Sequence, residues 1–265
     1  MSARSSESCH VPATHFSSAP LPREGWVVGL LLLGLLGAAW AWLFRMDALG
    51  QILICRAQAS GFGAIAGMWV VMMIAMMLPS ALPMVFAFAQ VTAERERTAS
   101  RAGLPVLFVA AYLAVWSAFG VAAAAAEWLL QGHGLVRDGG LANPLYAGAL
   151  LVVAGLYQWS TAKGVCLSRC RSPSDFVREH YRGGYRGAVA LGLAHGAFCV
   201  GCCWVLMLLA WVGGTMNLAW MVVLTLFVAA ERMLRMRAAL LHASAIALLG
   251  VGAILMIGLG PLGFS

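Results

Sequence analysis

Long apolar segments, nearly free of charged residues, alternate along the chain with short polar segments that are rich in arginine. About 20 helical residues, each rising about 1.5 Å, are enough to cross the hydrocarbon layer of a membrane. The pattern therefore predicts an all-α fold, a polytopic membrane bundle of seven transmembrane helices surrounded by the lipid bilayer. We place the spans at Trp26–Phe44, Gly63–Gln90, Leu104–Leu130, Leu141–Ser160, Gly187–Val212, Gly214–Ala230 and Ala239–Gly260.

The segments outside these spans are short. Residues 1–25 are rich in Ser, Pro and Ala, and this composition predicts a disordered cytoplasmic leader before a transmembrane domain of residues 26–265. Residues 161–186 form the longest predicted cytoplasmic loop, which is too short to be a separate domain. The first apolar segment is interpreted as a retained helix and not as a signal peptide, because a long polar leader precedes it.

The net charge of +7 over 265 residues matters mainly through its placement. A basic chain can bind nucleic acid, but 62% of these residues are hydrophobic and only 10% are charged. With seven spans, all of the 17 Lys and Arg residues except Arg45, Arg56 and Arg137 lie on the side of the amino terminus. This bias predicts a cytoplasmic amino terminus and an external carboxyl terminus, and no nucleic-acid partner.

Three cysteines lie close together in the sequence CVGCCWV of the fifth predicted span. At about 100° per residue, Cys199, Cys202, Cys203 and the preceding His195 share an arc of about 100° on one helix face. Thiolate and imidazole ligands suit Cu(I) or Zn(II), and sulfur-rich sites of low coordination number favour Cu(I). These four residues are therefore candidate metal ligands. The alternative is that the thiols pack as small hydrophobic groups.

The second span contains the methionine-rich segment MWVVMMIAMMLPSALPM. Helical spacing places Met73, Met76 and Met77 on one stripe, and thioethers are neutral, soft ligands for Cu(I). Methionine also fills gaps in apolar cores, so packing is the alternative. The stripe and CVGCCWV both lie near the middle of their helices. If the second and fifth spans touch, a shared Met, Cys and His site forms within the membrane.

Two further cysteines, Cys166 and Cys170, follow the fourth span and share a helix face with Lys163. Two thiols four residues apart can bind a metal ion, and a nearby cation favours the thiolate. We interpret the two cysteines as a cytoplasmic exchange pair for metal, with two structural thiols as the alternative. Glu231 and Arg232, at the end of the sixth span, are interpreted as charges at the membrane boundary. The alternative is that Glu231 counters the positive loop or assists metal release.

These motifs together resemble a bacterial family of predicted metal-binding integral membrane proteins, some of which are labelled copper chaperones. The resemblance covers residues from about Gly63 to Arg232, and its most specific strings are the GCCW sequence and the methionine-rich segment. It implies a multi-pass protein of the bacterial inner membrane with a role in metal handling.

The leading hypothesis is a membrane protein that binds Cu(I), or another soft metal ion, and transports it or delivers it to a copper-dependent protein or membrane complex. The sequence shows no arrangement of carboxylate, histidine and nucleophile typical of hydrolysis, and we do not expect an enzyme. One alternative is a membrane thiol oxidoreductase that uses Cys199 and Cys202 as a C-x-x-C pair with a quinone. Another is a structural subunit of a larger membrane complex.

Overall fold

Helices make up almost all of the computed structural model, which describes residues 23–57, 61–96, 103–137, 139–215, 217–233 and 237–258. The predicted leader, residues 1–25, and Cys9 within it lie outside the fully described residues, and so does the side chain of Cys55. The longer helices are α1 (Arg23–Ala57), α2 (Phe62–Arg95), α3 (Gly103–Gly132), α4 (Pro144–Gln158), α7 (Gly184–Leu208), α9 (Leu218–Met233) and α10 (Arg237–Met256). The shorter helices are α5 (Thr161–Arg171), α6 (Pro173–His180) and α8 (Ala210–Gly213), and a two-stranded antiparallel hairpin, β1 (Val136–Arg137) and β2 (Gly140–Leu141), joins α3 to α4.

The prediction of an all-α membrane bundle is confirmed. The predicted count of seven spans is higher than the count that the length and composition of the described helices give. In the described ranges, five helical segments are long and apolar enough to cross a membrane. A sixth is added if α4 and α5, which meet at a bend of 65°, count together as one span. Helix α9, in the place of the sixth predicted span, has 16 residues and a length of about 24 Å, short of the roughly 30 Å hydrocarbon layer.

Helix α3 is central because it packs against both α2 and α7. A glycine allows the close approach of α7: a Cβ added at Gly192 would lie 2.4 Å from the carbonyl oxygen of Phe108. Small residues at such crossings let helix backbones come together in membranes. Side chains from the methionine-rich segment of α2 and from the cysteine motif of α7 belong to one buried apolar core that also includes residues of α3.

The buried carboxylate of Glu127 ties three helices together at the end of the bundle near the hairpin. Its Oε2 accepts hydrogen bonds from the indole Nε1 of Trp69 on α2 at 2.7 Å and of Trp211 on α8 at 3.1 Å. Its Oε1 accepts from Nε2 of Gln131 at 3.1 Å. A buried carboxylate is tolerated where polar groups satisfy it in this way.

Helices α4 and α10 pack closely along a second glycine contact. A Cβ added at Gly148 would lie 2.6 Å from the carbonyl oxygen of Gly252 and 2.7 Å from the side chain of Met256. The carboxyl end of α10 therefore lies at the end of the bundle where α4 begins. Helix α4 begins there because Pro144 occupies its first turn and the Asn143 side chain accepts a hydrogen bond from the backbone amide of Leu145 at 2.8 Å.

The bend between α4 and α5 falls at Trp159 and Ser160. The Ser160 side chain caps α5 by accepting a hydrogen bond from the amide of Lys163 at 3.1 Å. Helix α5 then turns against α7 and does not continue along the axis of α4. This turn brings Cys166 and Cys170 to the helix that carries the cysteine motif.

A candidate metal site of thiols around a buried arginine

The three cysteines of the motif lie together on one face of α7. Cys199, Cys202 and Cys203 are all buried, and the thiols of Cys202 and Cys203 each donate a hydrogen bond to the carbonyl oxygen of Cys199 at 3.1 Å. The i, i+3 and i+4 spacing of an α-helix produces this arrangement directly. The prediction that the thiols share a face is therefore realised in the fold.

A guanidinium from a different helix lies among these sulfurs. Nη2 of Arg232, at the end of α9, is 3.0 Å from Sγ of Cys199, 3.3 Å from Sγ of Cys202 and 3.4 Å from Sγ of Cys203. Arg232 is only 9% exposed. The sequence interpretation gave Arg232 only a boundary charge, and the structure adds that its side chain is buried against the thiols of α7. A clue in the sequence was the adjacent acidic–basic pair that closes an apolar helix.

The methionine-rich segment reaches the cysteine motif through two hydroxyl groups. The Tyr112 hydroxyl on α3 donates to the carbonyl oxygen of Met77 at 3.2 Å and lies 3.1 Å from Sγ of Cys199. The Ser80 hydroxyl donates to the same carbonyl at 2.8 Å and accepts from Nη1 of Arg232 at 2.7 Å. Sequence reasoning missed Tyr112 as a bridge between the two motifs.

The predicted thioether ligands are in the same core as the thiols. Met73, Met76 and Met77 are each at most 1% exposed, and they belong to the buried cluster that contains the three cysteines. Helix α3 packs against both α2 and α7, and the described hydrogen bonds link the two spans through Tyr112 on α3 and Arg232 on α9. The helix continues through Pro79 and Pro83.

His195 lies beside this cluster, one helical turn before Cys199. Its ring stacks on Tyr112 at 5.2 Å and on Phe108 at 6.0 Å between ring centroids, and Phe176 of α6 closes a further side. The buried Nε2 of His195 has no hydrogen-bond partner in the described part of the chain. The structure therefore places this imidazole in an aromatic enclosure next to the thiols.

The two cysteines of α5 lie against α7. A Cβ added at Gly201 would be 2.8 Å from Sγ of Cys166, so this thiol packs directly on the α7 backbone. The thiol of Cys170 interacts with that of Cys202. The structure thus joins the α5 pair to the motif on α7, where the sequence had suggested a separate site at the cytoplasmic boundary.

Lys163 does not serve the α5 thiols as the sequence had suggested. It is fully buried, and its Nζ lies 2.8 Å from Oε2 of Glu231. The amide of Gln158 completes the network by accepting from Lys163 and donating to Oε1 of Glu231 at 2.8 Å and to Oγ of Ser244 at 2.9 Å. The lysine charge is therefore neutralised by the carboxylate of Glu231, which is buried as well.

The resulting donor set is rich in sulfur and poor in oxygen, which suits a soft metal ion. Across the described ranges, no three His, Cys, Asp or Glu side chains stand in the arrangement of a ready-made metal site. Instead the thiols point toward their own backbone carbonyl and toward Arg232.

The family model that matches the chain is PpoB2, described as copper chaperone, and the match extends over residues 66–255. The chain belongs to this family. The matched range includes the methionine-rich segment, the α5 thiols, the cysteine motif and Arg232. Neither the curated proteins nor the solved structures give a significant match. A copper-related family and five apolar helices of membrane-spanning length together make this a membrane protein connected with copper.

Proposed function

We propose that this protein binds Cu(I) within the membrane and delivers it to a copper-dependent protein. The observation that carries the proposal is the convergence of Cys199, Cys202 and Cys203 in a buried cluster that α5 extends by further thiols. The description of the family as copper chaperone supports copper as the metal.

The chemistry around the cluster favours a soft, univalent ion. The nearby carboxylates are engaged elsewhere, Glu231 with Lys163 and Glu127 with two indole groups. Hard cations such as Ca²⁺ and Mg²⁺ need several oxygen ligands, whereas thiolates and thioethers bind Cu(I) well. Two thiolates drawn from the three cysteines are the primary ligands, the third cysteine stays a thiol, and Met73, Met76 and Met77 are weaker ligands across the core. His195 is a further candidate because its Nε2 lacks a hydrogen-bond partner in the described residues.

The α5 thiols supply a route for exchange. Cys170 interacts with Cys202, and Cys166 packs on α7 one residue before Cys202, at Gly201. A Cu(I) ion can pass between neighbouring thiolates by gaining one sulfur ligand before losing another, so it need not leave the sulfur-rich environment. We therefore assign Cys166 and Cys170 to transfer between the buried cluster and a partner protein on the cytoplasmic side. The resemblance to bacterial proteins supports a location in the bacterial inner membrane.

A Cu(I) titration of the purified, reduced protein in detergent tests the proposal. The wild-type chain is expected to bind Cu(I) stoichiometrically in competition with a chromogenic chelator, and the Cys199→Ser, Cys202→Ser and Cys203→Ser triple variant is expected to lose this binding. A Cys9→Ser, Cys55→Ser double variant is the matched control, because it changes the two cysteines of the sequence that belong neither to CVGCCWV nor to the α5 pair. Absence of Cu(I) binding by the folded wild-type protein would contradict the proposal. Quinone-dependent thiol oxidation would instead support the oxidoreductase alternative.

A further inference from the structure

The Arg232 guanidinium has no carboxylate partner in the described part of the chain. Glu231, its neighbour in sequence, is paired with Lys163 on a different side of α9. The described polar contacts of Arg232 are the three sulfurs of the motif and the Ser80 hydroxyl, and its buried Nε has no hydrogen-bond partner. An arginine does not lose its proton in a protein, so this positive charge is permanent.

A permanent buried charge needs an anionic partner. Removing an ion from water is strongly unfavourable even after the surroundings relax, unless an opposite charge and hydrogen bonds compensate for it. Here the groups that face the guanidinium are thiols, which bind metal ions as thiolates. The charge of a metal–thiolate unit therefore decides how well it fits beside Arg232.

We propose that Arg232 is a specificity-determining residue that supplies the counter-charge for a Cu(I) ion held by two thiolates and thereby selects Cu(I) over Zn(II). This inference rests on the proposed function of the thiol cluster. Cu(I) with two thiolates carries one negative charge, and the guanidinium makes the buried unit neutral. Zn(II) with two thiolates is neutral by itself, so the same guanidinium leaves an uncompensated positive charge.

The geometry around Arg232 also favours Cu(I) over Zn(II). Nη2 lies within 3.4 Å of all three sulfurs, so it occupies the side of the cluster that faces the end of α9 and keeps a further ligand from that side. Zn(II) prefers four ligands arranged as a tetrahedron, whereas Cu(I) is bound stably by fewer sulfur ligands. Zn(II) would need a third thiolate to form a neutral unit with the guanidinium, and Nη2 would still occupy the α9 side of that unit.

Comparison of Cu(I) and Zn(II) affinities tests this inference. Arg232→Gln is expected to weaken Cu(I) binding by about tenfold or more, the usual size of a lost hydrogen-bonded charge, and to leave Zn(II) binding equal or stronger. Arg232→Lys is expected to retain most of the preference because it keeps the charge. Arg169→Gln is the matched control, because Arg169 pairs with Glu179 at 3.2 Å on the surface.

A milder variant covers the case in which Arg232→Gln does not fold. Ser80→Ala removes the hydroxyl that holds Nη1, leaves the guanidinium in place, and is expected to lower the Cu(I) to Zn(II) affinity ratio several-fold. An unchanged ratio in a folded Arg232→Gln or Ser80→Ala protein that still binds Cu(I) would overturn the inference while leaving the proposed function intact. A wild-type protein that binds no Cu(I) would overturn the proposed function itself.

Discussion

Glu231 and Arg232 are adjacent at the end of α9, have opposite charges and are buried in different surroundings. Glu231 faces α5, where it pairs with Lys163, and Arg232 faces the thiols of α7. The pair therefore connects the segment that carries the exchange cysteines to the segment that carries the primary ligands. The backbone carbonyl of Glu231 also accepts a hydrogen bond from Nε of Arg171 at 2.9 Å, which holds the end of α5 to α9.

Lys163→Met is expected to destabilise the folded protein because it leaves the Glu231 carboxylate buried without its partner. Breaking one side of a buried ion pair typically costs about 3–5 kcal/mol, whereas removing both charges costs less. The double variant Lys163→Met, Glu231→Leu should therefore recover much of the loss. Thermal unfolding in detergent measures both effects.

Arg178→Ala is the control for this prediction, because its ion pair with Glu94 at 3.1 Å is half exposed and contributes little. If Lys163→Met unfolded at the wild-type temperature, the buried pair would not have the structural role assigned to it here.

At the scale of the residue, helical periodicity in the sequence predicts which side chains share a helix face. It does not predict contacts between residues that are distant in sequence. The arc of Cys199, Cys202 and Cys203 and the burial of the methionine stripe follow from helical spacing alone. The position of Arg232 does not, because its sulfur partners lie about 30 residues away in sequence and only tertiary packing brings them together. A charge near a predicted helix end is indistinguishable from a boundary charge until the helix ends are known.

At the scale of elements, the contact of α3 with α7 positions the site because Tyr112 and the cysteine motif lie on the facing surfaces. The sequence predicted both helices and the end of the fourth span at Ser160, where a serine cap begins α5. It could not predict that α5 folds back against α7. That turn depends on the 65° bend and on the Lys163 and Glu231 contact, which are tertiary features.

Gly192→Ala is expected to destabilise the protein by about 1–3 kcal/mol, because the added methyl group would meet the Phe108 carbonyl and force α3 and α7 apart. Gly67→Ala on α2 is the matched control. A Cβ there meets nothing within 4 Å, so the change should raise stability by about 0.4–1 kcal/mol through helix propensity. Thermal unfolding of the two variants should shift in opposite directions, and equal shifts would contradict the close packing at Gly192.

At the scale of the molecule, the connections separate into two groups at opposite ends of the bundle. The amide of Thr215 donates to the carbonyl of Gly139 at 2.9 Å, joining the α8–α9 turn to the hairpin. At the other end, Arg178 on α6 pairs with Glu94 on α2. The placement of basic residues in the sequence assigns the end with the hairpin to the predicted external side and the end with Arg178 to the predicted cytoplasmic side. The number of spans was harder to predict because the lengths of α4 and α9 depend on where tertiary contacts end them.

Epitope tags on the full chain test this arrangement. A tag at the amino terminus is expected on the cytoplasmic side, and tags inserted after Gly134 or added after Ser265 are expected on the other side, since the carboxyl end of α10 lies beside the start of α4. Antibody access in intact and permeabilised cells measures the sides. Finding the amino- and carboxyl-terminal tags on the same side would contradict the predicted orientation.

The most direct test of the central claim is the X-ray absorption spectrum of the Cu(I)-loaded protein used in the titration. We expect a copper edge of the Cu(I) type and a first coordination shell of two or three sulfur atoms. We also expect this shell to be lost in the variant with Cys199, Cys202 and Cys203 changed to serine. A first shell of nitrogen or oxygen atoms, or a sulfur shell that survives the triple substitution, would contradict the assignment of copper to this thiol cluster.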